Sequence, residues 1–187
     1  MKTIHLLLLF FLLLSCETDK NPLDPGNNFI IPLNTGNTFN YHVFTHTETV
    51  LADVFEYHNV TGNILINHTK YAIIDNNKLI RSDGTRLWSY NNGRETILLE
   101  YNVNAGDIIT FLGKIATVDS IKQQDVFGMD QKVIYVSNHV SVNDTLVTGQ
   151  YTATFGILNY VENYDHLISG YRLRGARIGG KEFGIVD

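Results

Sequence analysis

The chain holds one cysteine, Cys16, and seven histidines, the side chains best suited to nucleophilic or metal chemistry. A single thiol excludes an intramolecular disulfide and any cysteine-rich zinc centre. His42 and His46 lie four residues apart with Glu48 close by, a spacing that would share one helical face. The surrounding Tyr41-His42-Val43-Phe44-Thr45-His46-Thr47 is aromatic and β-branched, which predicts strand instead. Four strand residues span about 13 Å, too far for both rings to bind one metal at about 2.0–2.1 Å. His58, His68, His139 and His166 are scattered, and only folding could gather them.

Other catalytic patterns are weaker still. There is no Gly-x-Ser-x-Gly elbow, and Ser82, Ser89, Ser120, Ser137, Ser141 and Ser169 lack a nucleophile context. Glu95 and Glu100 are expected on opposite faces of one strand, since five is odd, which argues against a paired-carboxylate site. Gly175 to Gly184 reads as a hairpin, not as a phosphate or dinucleotide loop. Arg172, Arg174 and Arg177 read as a solvated strand face, and the Asn-x-Thr triplets at Asn59, Asn67 and Asn143 as coincidence in an Asn- and Thr-rich chain. No catalytic, metal or cofactor-binding residue is assigned, and the protein is expected not to be an enzyme.

Cys16 has a different use. Lys2 carries the only charge ahead of it, Leu6 to Leu14 is apolar, and a small residue, Ser15, precedes the thiol. The run is far shorter than the roughly 20 residues that span a bilayer. Leu13-Leu14-Ser15-Cys16 resembles the bacterial lipobox, in which cleavage before the cysteine is coupled to acylation of its thiol and new amine. Each buried methylene contributes about 0.8 kcal/mol, so two or three acyl chains would hold the protein on a membrane almost permanently. Residues 1–15 are therefore predicted as a lipoprotein signal peptide and 16–28, with Pro22 and Pro25, as a flexible tether. Residues 29–187 are predicted as one domain. The expected location is the cell envelope, lipid-anchored at the outer membrane, with the leaflet open.

The elements of that domain follow from composition. At 187 residues, 44% hydrophobic and 18% charged, the chain can bury a core and is not disordered. A net charge of −5 gives it no general attraction for phosphate backbones, so no nucleic-acid partner is expected. No proline follows Pro32, alanine is scarce, and Val, Ile, Thr, Tyr and Phe abound. Turn signals at Asn76-Asn77, Asp83-Gly84, Asn92-Gly93, Asn143-Asp144 and Gly179-Gly180 divide the chain into hairpin-linked runs. Val133, Tyr135 and Ser137 alternate with Ile134, Val136 and Asn138, a strand pattern. Val50–Tyr57 and Glu162–Leu167 could each hide a helical turn. The prediction is a mainly β, single antiparallel domain of about a dozen short strands. Its sheet is strongly curved into a half-barrel, open barrel or sandwich.

Phe29-Ile30-Ile31-Pro32-Leu33-Asn34-Thr35-Gly36-Asn37-Thr38-Phe39-Asn40-Tyr41 resembles the F/Y-x-P-L-x-x-G-N-x-W-x-Y opening of a broad group of Bacteroidota-like lipoproteins without an assigned activity. Phe39 stands where many members have Trp. Ile66 to Tyr71, Leu79 to Gly84, Leu98 to Asp107 and the G-I-G-L-like stretch Thr154 to Leu158 extend the resemblance over most of the mature chain. It implies a mainly β lipoprotein, similar to lipoprotein-carrier half-barrels, and brings no catalytic residues with it.

Aromatic residues are the most suggestive feature for binding. Tyr41, Phe44, Phe55, Tyr57, Tyr71, Trp88, Tyr90, Tyr101, Phe111, Phe127, Tyr135, Tyr151, Phe155, Tyr160 and Tyr171 recur on successive strands. In a closed sandwich they are core; in an open curved sheet they line an apolar trough with hydroxyls at its rim. The expected function is a non-catalytic, membrane-anchored β domain that binds an apolar or extended ligand (lipid, peptide or glycan) or a partner protein. The alternatives are an accessory subunit of an envelope or secretion complex using edge-strand pairing, and a hydrolase with an unrecognised site.

Overall fold

β-branched and aromatic runs punctuated by glycine and asparagine fold as thirteen strands, with no helix among the described residues. The computed structural model describes residues 31–49, 51–140, 145–164 and 166–186. The predicted signal peptide, the Cys16 lipidation site, the tether and the Asn143-Asp144 turn lie outside them.

The strands are β1 (Thr38–His46), β2 (Leu51–Ile66), β3 (Thr69–Ile74), β4 (Lys78–Ser82), β5 (Arg86–Asn91) and β6 (Arg94–Glu100). There follow β7 (Ile108–Phe111), β8 (Lys114–Val126), β9 (Met129–Val140), β10 (Thr145–Thr152), β11 (Gly156–Tyr164), β12 (Leu167–Ile178) and β13 (Lys181–Gly184). Every pairing is antiparallel, in the order β6-β5-β4-β3-β2-β1-β12-β11-β10-β9-β8-β7, with β13 added to β12. The segments that could have hidden helical turns, Val50–Tyr57 and Glu162–Leu167, are strand wherever they are described, except for the turn residue His166. Several strands are longer than expected, and β2 runs for 16 residues.

The ends of this sheet meet. The Leu112 amide donates to the Leu98 carbonyl at 2.7 Å, and the Thr110 amide to the Glu100 carboxylate at 2.9 Å. A regular ladder does not form there, so the sheet is a nearly closed barrel with one unsealed seam between β6 and β7. The Tyr151 hydroxyl reaches across from β10 to donate to the Glu100 carbonyl.

Long β2 carries the barrel in two stages. Its first half pairs with β1 from Leu51 to Asn59, and its second half pairs with β3 from Val60 onward. The β1–β2 and β11–β12 hairpins therefore project as a wing beyond the barrel mouth, and the β3-side edge of Leu51–Tyr57 is unpaired among the described residues.

The interior packs as two clusters, one around Phe111, Tyr151 and Leu99, the other around Phe155, Phe39 and Phe183. Ile31 and Leu33 pack against both. The Ile31 amide bonds the Ala153 carbonyl at 2.5 Å, and the Asn37 side-chain amide donates to the Pro32 carbonyl at 2.7 Å. The opening segment thus closes one end of the barrel and leaves the other open.

Candidate functional site

Two connected cavities occupy the space between the clusters. The outer one, about 390 Å³, opens at the mouth past Val43, Glu56, His58 and Lys78 and has Tyr41 and Tyr171 on its wall. The inner one, about 140 Å³, ends against Ile31, Leu33, Leu99 and Phe155. Tyr41, His58, Ile74, Ile80, Leu98 and Ile157 line both, so they form one lumen. The combined space falls in the range of about 300–1,000 Å³ usual for ligand pockets.

Strand parity builds this lining. Tyr41 and Val43 on β1 point inward with their partners Glu56 and Val54 on β2 and Tyr171 on β12. Beyond the mouth, Val54 continues the wall at 54% exposure, so the wing extends the lumen as a shallow trough.

The polar groups of the mouth compensate one another. His58 Nδ1 lies 2.5 Å from Asp75, its Nε2 3.7 Å from Glu56, and Lys78 3.8 Å from Asp75. Partial burial alone would raise the Asp75 carboxyl. The hydrogen bonds from His58 and the Asn59 amide and the charge of Lys78 outweigh it, and the pKa is lowered.

An aromatic chain runs from the mouth into the core. Tyr41 meets Tyr171 edge-on at 5.6 Å, Tyr171 stacks on Tyr160 at 5.0 Å, and Tyr160 contacts Phe111 at 6.2 Å. Phe111 and Tyr101 both pack on Tyr151. Burial raises the phenols of Tyr41, Tyr101, Tyr151 and Tyr171, so all are neutral hydrogen-bond donors at ordinary pH. The Tyr101 hydroxyl is buried without a partner. Tyr160 donates to Glu162 at 2.7 Å, and the Lys114 ammonium bonds the same carboxylate at 2.7 Å and holds its pKa down.

The aromatics divide only in part between the two roles expected of them, since Phe55 and Tyr57 are exposed and Trp88 meets Arg81 and Arg86 instead. Tyr101, Phe111, Tyr151 and Phe155 are core, whereas Tyr41 and Tyr171 line the open cavity. Tyr71 faces outward and donates to Glu95.

The histidines are gathered more than their spacing suggested. His42 and His46 reach the same Asp53 oxygen on β2, at 3.0 and 3.4 Å, because even spacing puts both rings on the outer face. Among the described residues no three His, Cys, Asp or Glu side chains are placed to hold a metal. His68 occupies the β2–β3 turn with positive φ, and the His139 side chain lies outside the described set.

Glu95 and Glu100 depart from the parity expectation. A register shift opposite Leu87 and Trp88 adds a residue to β6. Glu95 then pairs with Arg81 and Glu100 with Arg86, two arginines that flank the same Trp88 ring. Both carboxylates are engaged as ion pairs. Of the arginine cluster, Arg174 covers Phe55 and Arg177 pairs with Glu182.

Reasoning from sequence missed Ile74, Ile80, Leu98 and Ile157 as lining, and Glu56, His58 and Lys78 as the mouth. Alternation marked the inward positions but could not separate lumen wall from packed core. No protein-family model matches the chain, and no curated protein matches it.

Proposed function

We propose that this protein is an envelope lipoprotein, anchored through Cys16, whose β domain binds an apolar or extended ligand in its lumen and performs no chemistry on it. The observation that carries the reading is the lumen itself: open at one end, closed by Ile31 and Leu33 at the other, and walled mostly by aliphatic and aromatic side chains. Apolar surface left facing water costs roughly 25 cal/mol per Å², which a hydrocarbon ligand would recover. Displacement of a fluorescent apolar probe, N-phenyl-1-naphthylamine, tests this. Saturable probe binding that Ile80→Trp abolishes supports the lumen site, and binding unchanged in that variant refutes it. The anchor has its own test: globomycin or Cys16→Ser should block maturation and leave the uncleaved precursor, whereas unchanged processing would defeat it.

A second reading, docking of a partner protein by strand addition, is favoured by the unpaired edge of Leu51–Tyr57. Leu51 is 78% and Phe55 52% exposed there, an edge that native sheets ordinarily protect. Crosslinking in intact cells from a photoreactive residue at Val54 tests it; an absence of protein adducts would reject it.

A further inference from the structure

The lumen is graded along its length. Its inner end presents only hydrocarbon, from Ile31, Leu33, Leu99 and Phe155. Tyr41, at the junction of the two cavities, and Tyr171, beside it, bring phenolic hydroxyls to the wall. Neither hydroxyl has a hydrogen-bond partner among the described residues. The mouth then carries Glu56, His58, Asp75 and Lys78, already compensating one another.

This order constrains the ligand. An ionised head at the depth of the tyrosines would lose its hydration without a counter-charge. A plain hydrocarbon would leave the two donors unanswered. A neutral acceptor between a short apolar tail and a polar end answers all three zones.

Building on the lumen-binding reading, we propose that the ligand is a short-chain acyl ester. Its tail fills the inner cavity, its ester carbonyl accepts from Tyr41 and Tyr171, and its alcohol portion lies at the Glu56–His58–Lys78 mouth. Burial holds both phenols protonated, so they donate at any physiological pH.

The test uses the full chain in native membranes and three diazirine-tagged probes whose chains the inner cavity can hold: methyl hexanoate, hexanoic acid and hexane. Labelling of lumen peptides, those holding Leu98 and Ile157, is read by mass spectrometry. The ester is expected to label them about two- to tenfold more than either other probe, the range one neutral hydrogen bond supports. Tyr41→Phe with Tyr171→Phe should erase that preference, bringing ester labelling down to the level of the hydrocarbon. Phenylalanine keeps the rings, and the hydroxyls removed have no protein partner, so folding is preserved. Equal labelling by ester and hydrocarbon, stronger labelling by the acid, or a preference that survives in the double variant overturns the ester assignment alone. No lumen labelling by any probe overturns the lumen-binding reading with it.

Discussion

The Tyr151 hydroxyl donates to the Glu100 carbonyl oxygen at 2.6 Å, joining the C-terminal end of β10 to the last residue of β6 across the barrel interior. Glu100 also takes the Thr110 amide with its carboxylate, so one residue ties both β10 and β7 to the seam. The barrel is held shut there by side chains as much as by its backbone.

Two tyrosine-to-phenylalanine variants should therefore behave oppositely. Tyr151→Phe leaves a buried carbonyl without its donor and should cost about 1–3 kcal/mol. Tyr101→Phe removes a buried hydroxyl that has no partner and should be neutral or stabilising. Urea unfolding midpoints of the two variants check this, and an equal loss in both would contradict the assignment of the seam bond.

Acid should destabilise the domain through a definable set of carboxylates. Glu162, bonded first by Lys114, and Glu95, bonded first by Arg81, both have lowered pKa values, as does Asp75. A lowered folded-state pKa contributes stability above the unfolded value of about 4, and that stability is lost as pH falls through the folded one. Urea midpoints should drop below about pH 4, and Glu162→Gln should make the drop shallower. A Glu162→Gln profile parallel to the parent would show that the Lys114 pair contributes nothing.

Gly170 on β12 is required by close approach. A Cβ there would run into the Tyr160 carbonyl oxygen and crowd the Phe44 ring at 2.8 Å. Gly170→Ala should cost about 1–3 kcal/mol and loosen the wing first. Amide exchange should quicken in β1 and β11 around Phe44 and Tyr160 before it does so near Tyr151. Unaltered exchange and midpoint would mean that the strands shift apart freely.

Much of the architecture was legible in local chemistry. Asn76-Asn77, Asp83-Gly84, Asn92-Gly93 and Gly179-Gly180 all separate paired strands, because tight turns need residues tolerant of positive φ. Leu51–Tyr57 was ambiguous because the projecting wing meets solvent on both faces, which removes the alternation that marks a half-buried strand. The β6 register shift could not be read from residue types, and it alone undid the parity argument for Glu95 and Glu100. Closure was hidden too, since β6 and β7 are neighbours in the chain yet stand at opposite ends of the strand order. Tyr41 and Tyr151 are the same residue on similar strands, yet one lines the lumen and the other is packed core.

Native mass spectrometry of the mature protein released from its own envelope tests the lumen most directly, run beside Ile80→Trp. The parent should carry a noncovalent adduct of lipid mass that the tryptophan variant lacks. A parent at its bare covalent mass, or the same adduct on both proteins, would contradict a ligand-binding lumen.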